Sequence, residues 1–214
     1  MEVDPKRVSR IRLLLSLLLG LAVACNFLPR QAAATAKITP AAATTSSLAN
    51  ALGEISIPNA TMQYYDIAGA TEGELRAELN AKGPVGYDGY RGDATTQWFI
   101  GWTWPGYGTS FCTVSAPAVS YQITVIFPRW RAPASAPPAL TAKWTDFEQA
   151  LGEHERGHVD FVVTHYNSVS AAIERASCAT AEAAAQDALK PIRQHDIDYD
   201  AETNHGATQG ARFP

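Results

Sequence analysis

LGEHERGHVDF, residues Leu151 to Phe161, sets two of the five histidines of this 214-residue chain four positions apart, with a glutamate beside the first. Residues four apart lie one turn above each other on a single helical face. His154 and His158 share that face with Phe147, Leu151 and Phe161, a periodicity that predicts a helix and turns both histidines toward the protein interior. Two neutral imidazoles so placed can put nitrogens about 2 Å from one Zn2+. Glu155 projects beside the same point, where a carboxylate can take a proton from an activated water and hand it to a leaving amine. Independent placement of these residue types produces His-Glu-x-x-His in about 0.6% of chains of this composition. The bland alternative is a helix with two hydrogen-bonded, half-buried histidines and a solvated glutamate.

A zinc site of this kind needs a third protein ligand and leaves the fourth position to water. His165 lies about 10 Å further along the same predicted helix and is read as packing or surface. Glu182, on the next predicted helix, is an alternative ligand. His205, in YDAETNHG (Tyr199 to Gly206), is the favoured third ligand, because Gly206 frees the backbone to bring an imidazole inward and a metal bond would hold a polar tail in place. Asp200 follows as an alternative ligand, or as the acceptor that orients an imidazole N–H. Tyr199 is placed to donate to a developing oxyanion. Asp196, Asp198 and Asp200 alternate like the start of a calcium loop, but Ala201 and Ala207 stand where that loop needs glycine and glutamate.

Working outward, Thr145-Asp146-Phe147-Glu148 has capping-box form and marks the start of the histidine helix, whose apolar positions continue to Val162 and Ile173. A second helix is expected over Thr180 to Ile192, followed by a polar tail. Upstream, Met62 to Gly69 is β-prone. Thr71-Glu72-Gly73-Glu74 repeats the capping-box form ahead of a short helix using Leu75 and Leu79, stopped by Gly83-Pro84. Thr95 to Trp104, FCTVSA and VSYQITVIF read as strands, and the proline-rich Arg129 to Leu140 as a connection. Strands first and helices last predict an α+β domain: a small antiparallel sheet packed against the long zinc-site helix and a second helix, zincin-like in outline.

The remaining features set the compartment. Lys6, Arg7, Arg10 and Arg12 precede the apolar Leu13 to Ala24, a secretory signal over residues 1–24. Cys25 follows Ala-Val-Ala and is a lipid-attachment candidate that would tether the protein to a membrane. Residues 25–54 are rich in Ala and Thr and read as a flexible tether, leaving 55–214 as the single folded domain. Cys112 and Cys178 are the pair left over, and an exported setting favours a disulfide closing a loop of roughly 65 residues. Hydrophobic residues make up 46% of the chain and charged ones 18%, enough apolar content for a core. With no basic patch, nucleic acid is not an expected partner.

YDIAGAT with a following Glu-Leu, LNAKGP, the Trp98–Trp102 spacing, FPRW, the Trp144-x-x-Phe147 lead-in, LGEHERGH and YDAETNHG occur in that order. Together they resemble the bacterial family labelled domain of unknown function 922, from about Tyr64 to the C-terminus. Members of that family are described as predicted secreted zinc-dependent proteases. The resemblance implies His154 and His158 as ligands, Glu155 as the catalytic glutamate, and Tyr199-Asp200, Thr203 and His205-Gly206 as a functional cluster. The expectation is therefore an exported zinc-dependent hydrolase acting on peptide or protein. The alternative is a non-enzymatic envelope lipoprotein with a structural zinc or a partner-binding surface, for which four tryptophans between Trp98 and Trp130 leave room.

Overall fold

The longest strand, β3 (Ala118–Trp130), buries Ile123, Val125 and Phe127 at alternate positions, as befits a strand paired on both edges. The structure is a computed structural model that describes residues 54–86 and 89–214. The predicted signal, Cys25 and the tether through residue 53 lie outside the described residues, as do two residues of the Gly-rich turn.

β2 (Thr95–Thr103) runs antiparallel to β3, from Thr95 opposite Ile126 to Thr103 opposite Ala118. β1 (Thr61–Ile67) runs parallel to β3 on its other edge, from Thr61 opposite Thr124 to Ile67 opposite Trp130. The sheet order is β1-β3-β2. It is a mixed sheet, which corrects the all-antiparallel expectation. That expectation paired strands with their nearest neighbours in sequence. The β2–β3 connection claims one edge of β3, and α1 (Glu72–Lys82) with the segment after it carries the chain from β1 around to the other.

FCTVSA forms no strand. Cys112 is bonded to Cys178, Thr113 N donates to Pro105 O at 2.9 Å, and Gly106, at φ +75°, lies where a Cβ would come within 2.2 Å of Phe111 O. These contacts fold the stretch back as a loop between β2 and β3.

The helices keep their expected faces but move their ends. In α1, Thr71 Oγ1 caps the helix by accepting from Glu74 N at 3.3 Å, while Glu74 Oε2 reaches one residue past the cap and accepts from Ala70 N at 2.7 Å, so the capping box forms in its first half only. The box expected at Thr145 does not form. α2 (Pro138–His165) begins earlier, with Pro138 at its first position, and Thr145 Oγ1 donates to Thr141 O within the helix. Ile173 belongs to a separate short helix, α3 (Ser168–Glu174), where it and Val169 are fully buried. α4 (Ala181–Thr203) runs through Pro191 and absorbs the first half of what reads as a polar tail. Among the described residues, no helix is long and apolar enough to cross a membrane.

β2 ties the sheet to the helices. Thr96, Trp98, Ile100 and Trp102 share one face by period-two alternation. Ile100 is buried, while Thr96 reaches Glu155, Trp98 reaches Asp196 and Trp102 reaches Glu182.

Candidate metal centre

α2 buries Leu151, His154, Glu155, His158, Val159 and Val162 along one stripe, so its two histidines and the glutamate are held in the protein rather than on its surface. α4 lies alongside with Asp196 and Asp200, again four apart, facing the imidazoles. Asp200 Oδ1 is 3.2 Å from His154 Nε2 and 3.2 Å from His158 Nε2. These three side chains form a group whose donor atoms all lie within 4.8 Å of one another. Donors about 2 Å from a tetrahedral ion stand roughly 3.3 Å from each other, so the separations around Asp200 suit a shared ion.

The other nitrogen of each ring is taken. His154 Nδ1 donates to Gln209 Oε1 at 3.0 Å, and His158 Nδ1 donates to Asp196 Oδ1 at 3.0 Å. With Nδ1 donating, Nε2 of each ring is the nitrogen turned toward Asp200, and a metal that displaces its proton would find the tautomer a ligating imidazole needs. Asp196 is fixed in turn by Trp98 Nε1, which donates to its Oδ2 at 2.7 Å. Gln209 stands on a 3-10 turn (Ala207–Gln209), and its Nε2 donates to the Tyr199 hydroxyl at 2.9 Å. The donor set therefore fits a divalent cation such as zinc.

Electrostatics agree with that fit. Burial works against a charged His158 ring, but the Asp196 and Asp200 carboxylates outweigh it and lift its pKa to about 10. Burial also opposes charge on Asp200, yet hydrogen bonds to His154 and His158 hold its carboxyl well below the usual range. Without a metal, His158 is an imidazolium clasped by two carboxylates, and its Nε2 proton occupies the position a cation would take. Burial raises the Glu155 carboxyl above its ordinary value. Its Oε2 accepts from Thr96 Oγ1 at 2.7 Å.

Gly157, inside HERGH, has a packing reason. A Cβ there would fall 2.3 Å from the Tyr199 hydroxyl. The Tyr199 ring lies parallel to His154, at 12° and 5.1 Å between centroids, and edge-on to His158. It forms a wall between the two helices. Its hydroxyl is turned toward the α2 backbone at Gly157 and accepts from Gln209 Nε2.

The remaining candidates separate clearly. His205 is outside the convergent trio; its Nδ1 is 3.7 Å from Asp200 Oδ1, and its ring stacks on Tyr90 at 4.1 Å. The physical reason is the length of α4. The helix continues through Thr203, so Asp200 projects from its last turn into the site, while His205 falls past the end and onto the rim. Glu182 is exposed at the start of α4, about 27 Å along the helix from Asp200, and accepts from Trp102 Nε1 and Tyr107 Oη. His165 is exposed and stacks on Phe161. Cys112 and Cys178 are joined as expected, with Cα atoms 6.0 Å apart.

Sequence reasoning did not assign Thr96, Asp196 or Gln209 to the site. Asp196 carried a signal: Asp196, Tyr199, Asp200 and Thr203 repeat at helical spacing, a polar stripe that mirrors the stripe on α2. Thr96 and Gln209 carried none, since a lone threonine in a strand and a glutamine near a terminus are ordinary.

A family model described as bacterial protein of unknown function (DUF922) matches residues 62–206. The matched span holds His154, Glu155, His158, Asp196, Asp200 and His205 and stops short of Gln209. No curated protein and no solved structure matches the chain.

Proposed function

Because the chain belongs to the DUF922 family of bacterial proteins of unknown function, we propose from its site that it is an exported, zincin-like zinc hydrolase whose simplest substrate is a peptide bond. His154, His158 and Asp200 would hold the ion, and Glu155 would be the general base. The observation that carries this reading is the convergence of three donors beside a buried glutamate on the same helix. A purely structural zinc is closed by four protein ligands; three converging among the described residues supports an open position for chemistry.

A bound zinc supplies Lewis acidity, which polarises a carbonyl and makes water a better nucleophile near neutral pH. The protein's own groups do the rest. Glu155 takes one proton from the attacking water as its oxygen adds to the carbonyl carbon. The same proton passes to the amine nitrogen as the C–N bond breaks, which leaves a carboxylic acid and an amine. Thr96 holds one carboxylate oxygen of Glu155, so the other is left for the water. Asp196 and Gln209 keep Nδ1 protonated on both imidazoles. The disulfide is compatible with an oxidising compartment, as the export proposed from a signal over residues 1–24 and a lipid anchor on Cys25 would require.

The test is the full chain purified in detergent, assayed for zinc content and for cleavage of a mixed peptide library, beside Glu155→Gln. Both proteins should hold one zinc, and cleavage should drop at least about 100-fold in the variant. Equal cleavage by both would remove Glu155 as the base and with it the peptidase reading.

A further inference from the structure

The turn that ends α4 places a histidine where few side chains go. Asn204, His205 and Gly206 have φ of +50°, +51° and +77°, three successive residues in the left-handed region. Asparagine and glycine adopt it readily, whereas an imidazole-bearing residue there is uncommon and persists where surrounding contacts over-determine it. The contacts here do so. His205 N donates to Asp200 O at 2.8 Å, Gly206 N donates to Thr203 Oγ1 at 3.1 Å, and Thr203 Oγ1 donates to Tyr199 O at 2.7 Å. Gly206 packs so tightly under His154 that a Cβ would sit 2.9 Å from His154 Cγ.

The turn is thus seated on a metal-ligating residue, and it delivers the His205 ring to the edge of the trio. Nδ1 stands 3.7 Å from Asp200 Oδ1, beyond hydrogen-bond length, and the side chain is 36% exposed. One face of the ring is covered by Tyr90, nearly parallel at 12°. The result is an imidazole braced by Tyr90 beside the trio and partly open to solvent. An acyl carbonyl under attack gains negative charge on oxygen and needs a preorganised donor there.

We infer that His205 is a catalytic residue rather than a ligand: an imidazole N–H donates to the carbonyl oxygen of the bond being cleaved, and Tyr90 holds the ring in place. This rests on the zinc-hydrolase reading above and goes one step past it.

The experiment uses the full chain loaded with Co2+ and titrated with acetohydroxamate, followed by visible absorption. The variants are His205→Gly, which accepts the left-handed backbone without strain, Tyr90→Ala and Tyr90→Phe. All should bind one Co2+ within about threefold of wild type. Acetohydroxamate should bind His205→Gly about tenfold more weakly, Tyr90→Ala by part of that, and Tyr90→Phe more tightly than Tyr90→Ala, since the stack survives. A purely structural role for Tyr90 would not give that rescue by phenylalanine. Loss of Co2+ in His205→Gly makes His205 a ligand and overturns the inference. Equal acetohydroxamate binding by wild type and His205→Gly, including none by either, overturns it too. A wild-type chain that binds no Co2+ fails earlier, and the hydrolase reading goes with it.

Discussion

α2 and α4 bring the same spacing to the site from opposite chemical settings. α2 offers His154 and His158, four apart and set among apolar residues that bury them. α4 answers with Asp196 and Asp200, also four apart, in a stretch where Ile197 is 60% exposed and Asp198 and Glu202 face solvent. Polar groups buried on α2 need partners, and the inner face of α4 is shaped by supplying them. α2 is held by its core along its length, whereas α4 is held by Ala181, Ala185, Leu189 and Ile192 in its first half and turns a polar face to α2 in its second. If that is correct, changes on the α4 face should cost metal affinity before they cost fold, and changes on α2 away from that face should do the reverse.

The largest effect belongs to Asp200→Ala. It removes the one oxygen shared by both imidazoles, and zinc affinity by chelator competition should fall more than about 100-fold, past the range seen for groups that only support a ligand. Next come the two supports. Asp196→Asn and Gln209→Ala should each weaken zinc by about 10- to 100-fold. Asp196→Asn should be the larger, because it replaces a carboxylate that is itself anchored by Trp98. Equal losses would break the asymmetry between the two histidines.

Gly157→Ala tests the wall between the helices. The added methyl meets the Tyr199 hydroxyl, so the variant should lose about 1–3 kcal/mol in urea unfolding and loosen zinc with it. The smallest effect is a control on α2. Burial raises Glu148 to about 7, so its neutral form is favoured in the fold. The stability this contributes is complete below pH 4.5 and is lost as pH rises through 7. Relative to wild type, metal-free Glu148→Gln should gain about 1–2 kcal/mol between pH 5 and pH 8, after allowance for solvent screening. Zinc affinity should be unchanged.

What was legible in the sequence follows the same division. HERGH could be read because an inward histidine pair on an apolar stripe is unusual in any helix, and the Thr71 cap of α1 could be read because the group it accepts from, Glu74 N, is three residues away. The course of β1 could not, since its pairing with β3 links residues more than 60 positions apart and no local pattern encodes it. The second half of α4 is hidden for a physical reason: apolar periodicity ends at Ile192, and from Asp196 to Thr203 the inward stripe is polar. In a loose tail His205 is the natural third donor, whereas a helix that reaches Thr203 brings Asp200 to the two histidines and leaves His205 beyond its end.

The central claim is that α4 completes a site that α2 begins, and zinc competition against a chromophoric chelator tests it most directly. Wild type, Asp200→Ala and His205→Gly are compared at pH 7.5. The account predicts one zinc per wild-type chain, a loss of more than about 100-fold in Asp200→Ala, and wild-type affinity in His205→Gly. The reverse ranking, with Asp200→Ala binding like wild type and His205→Gly losing the metal, would contradict it.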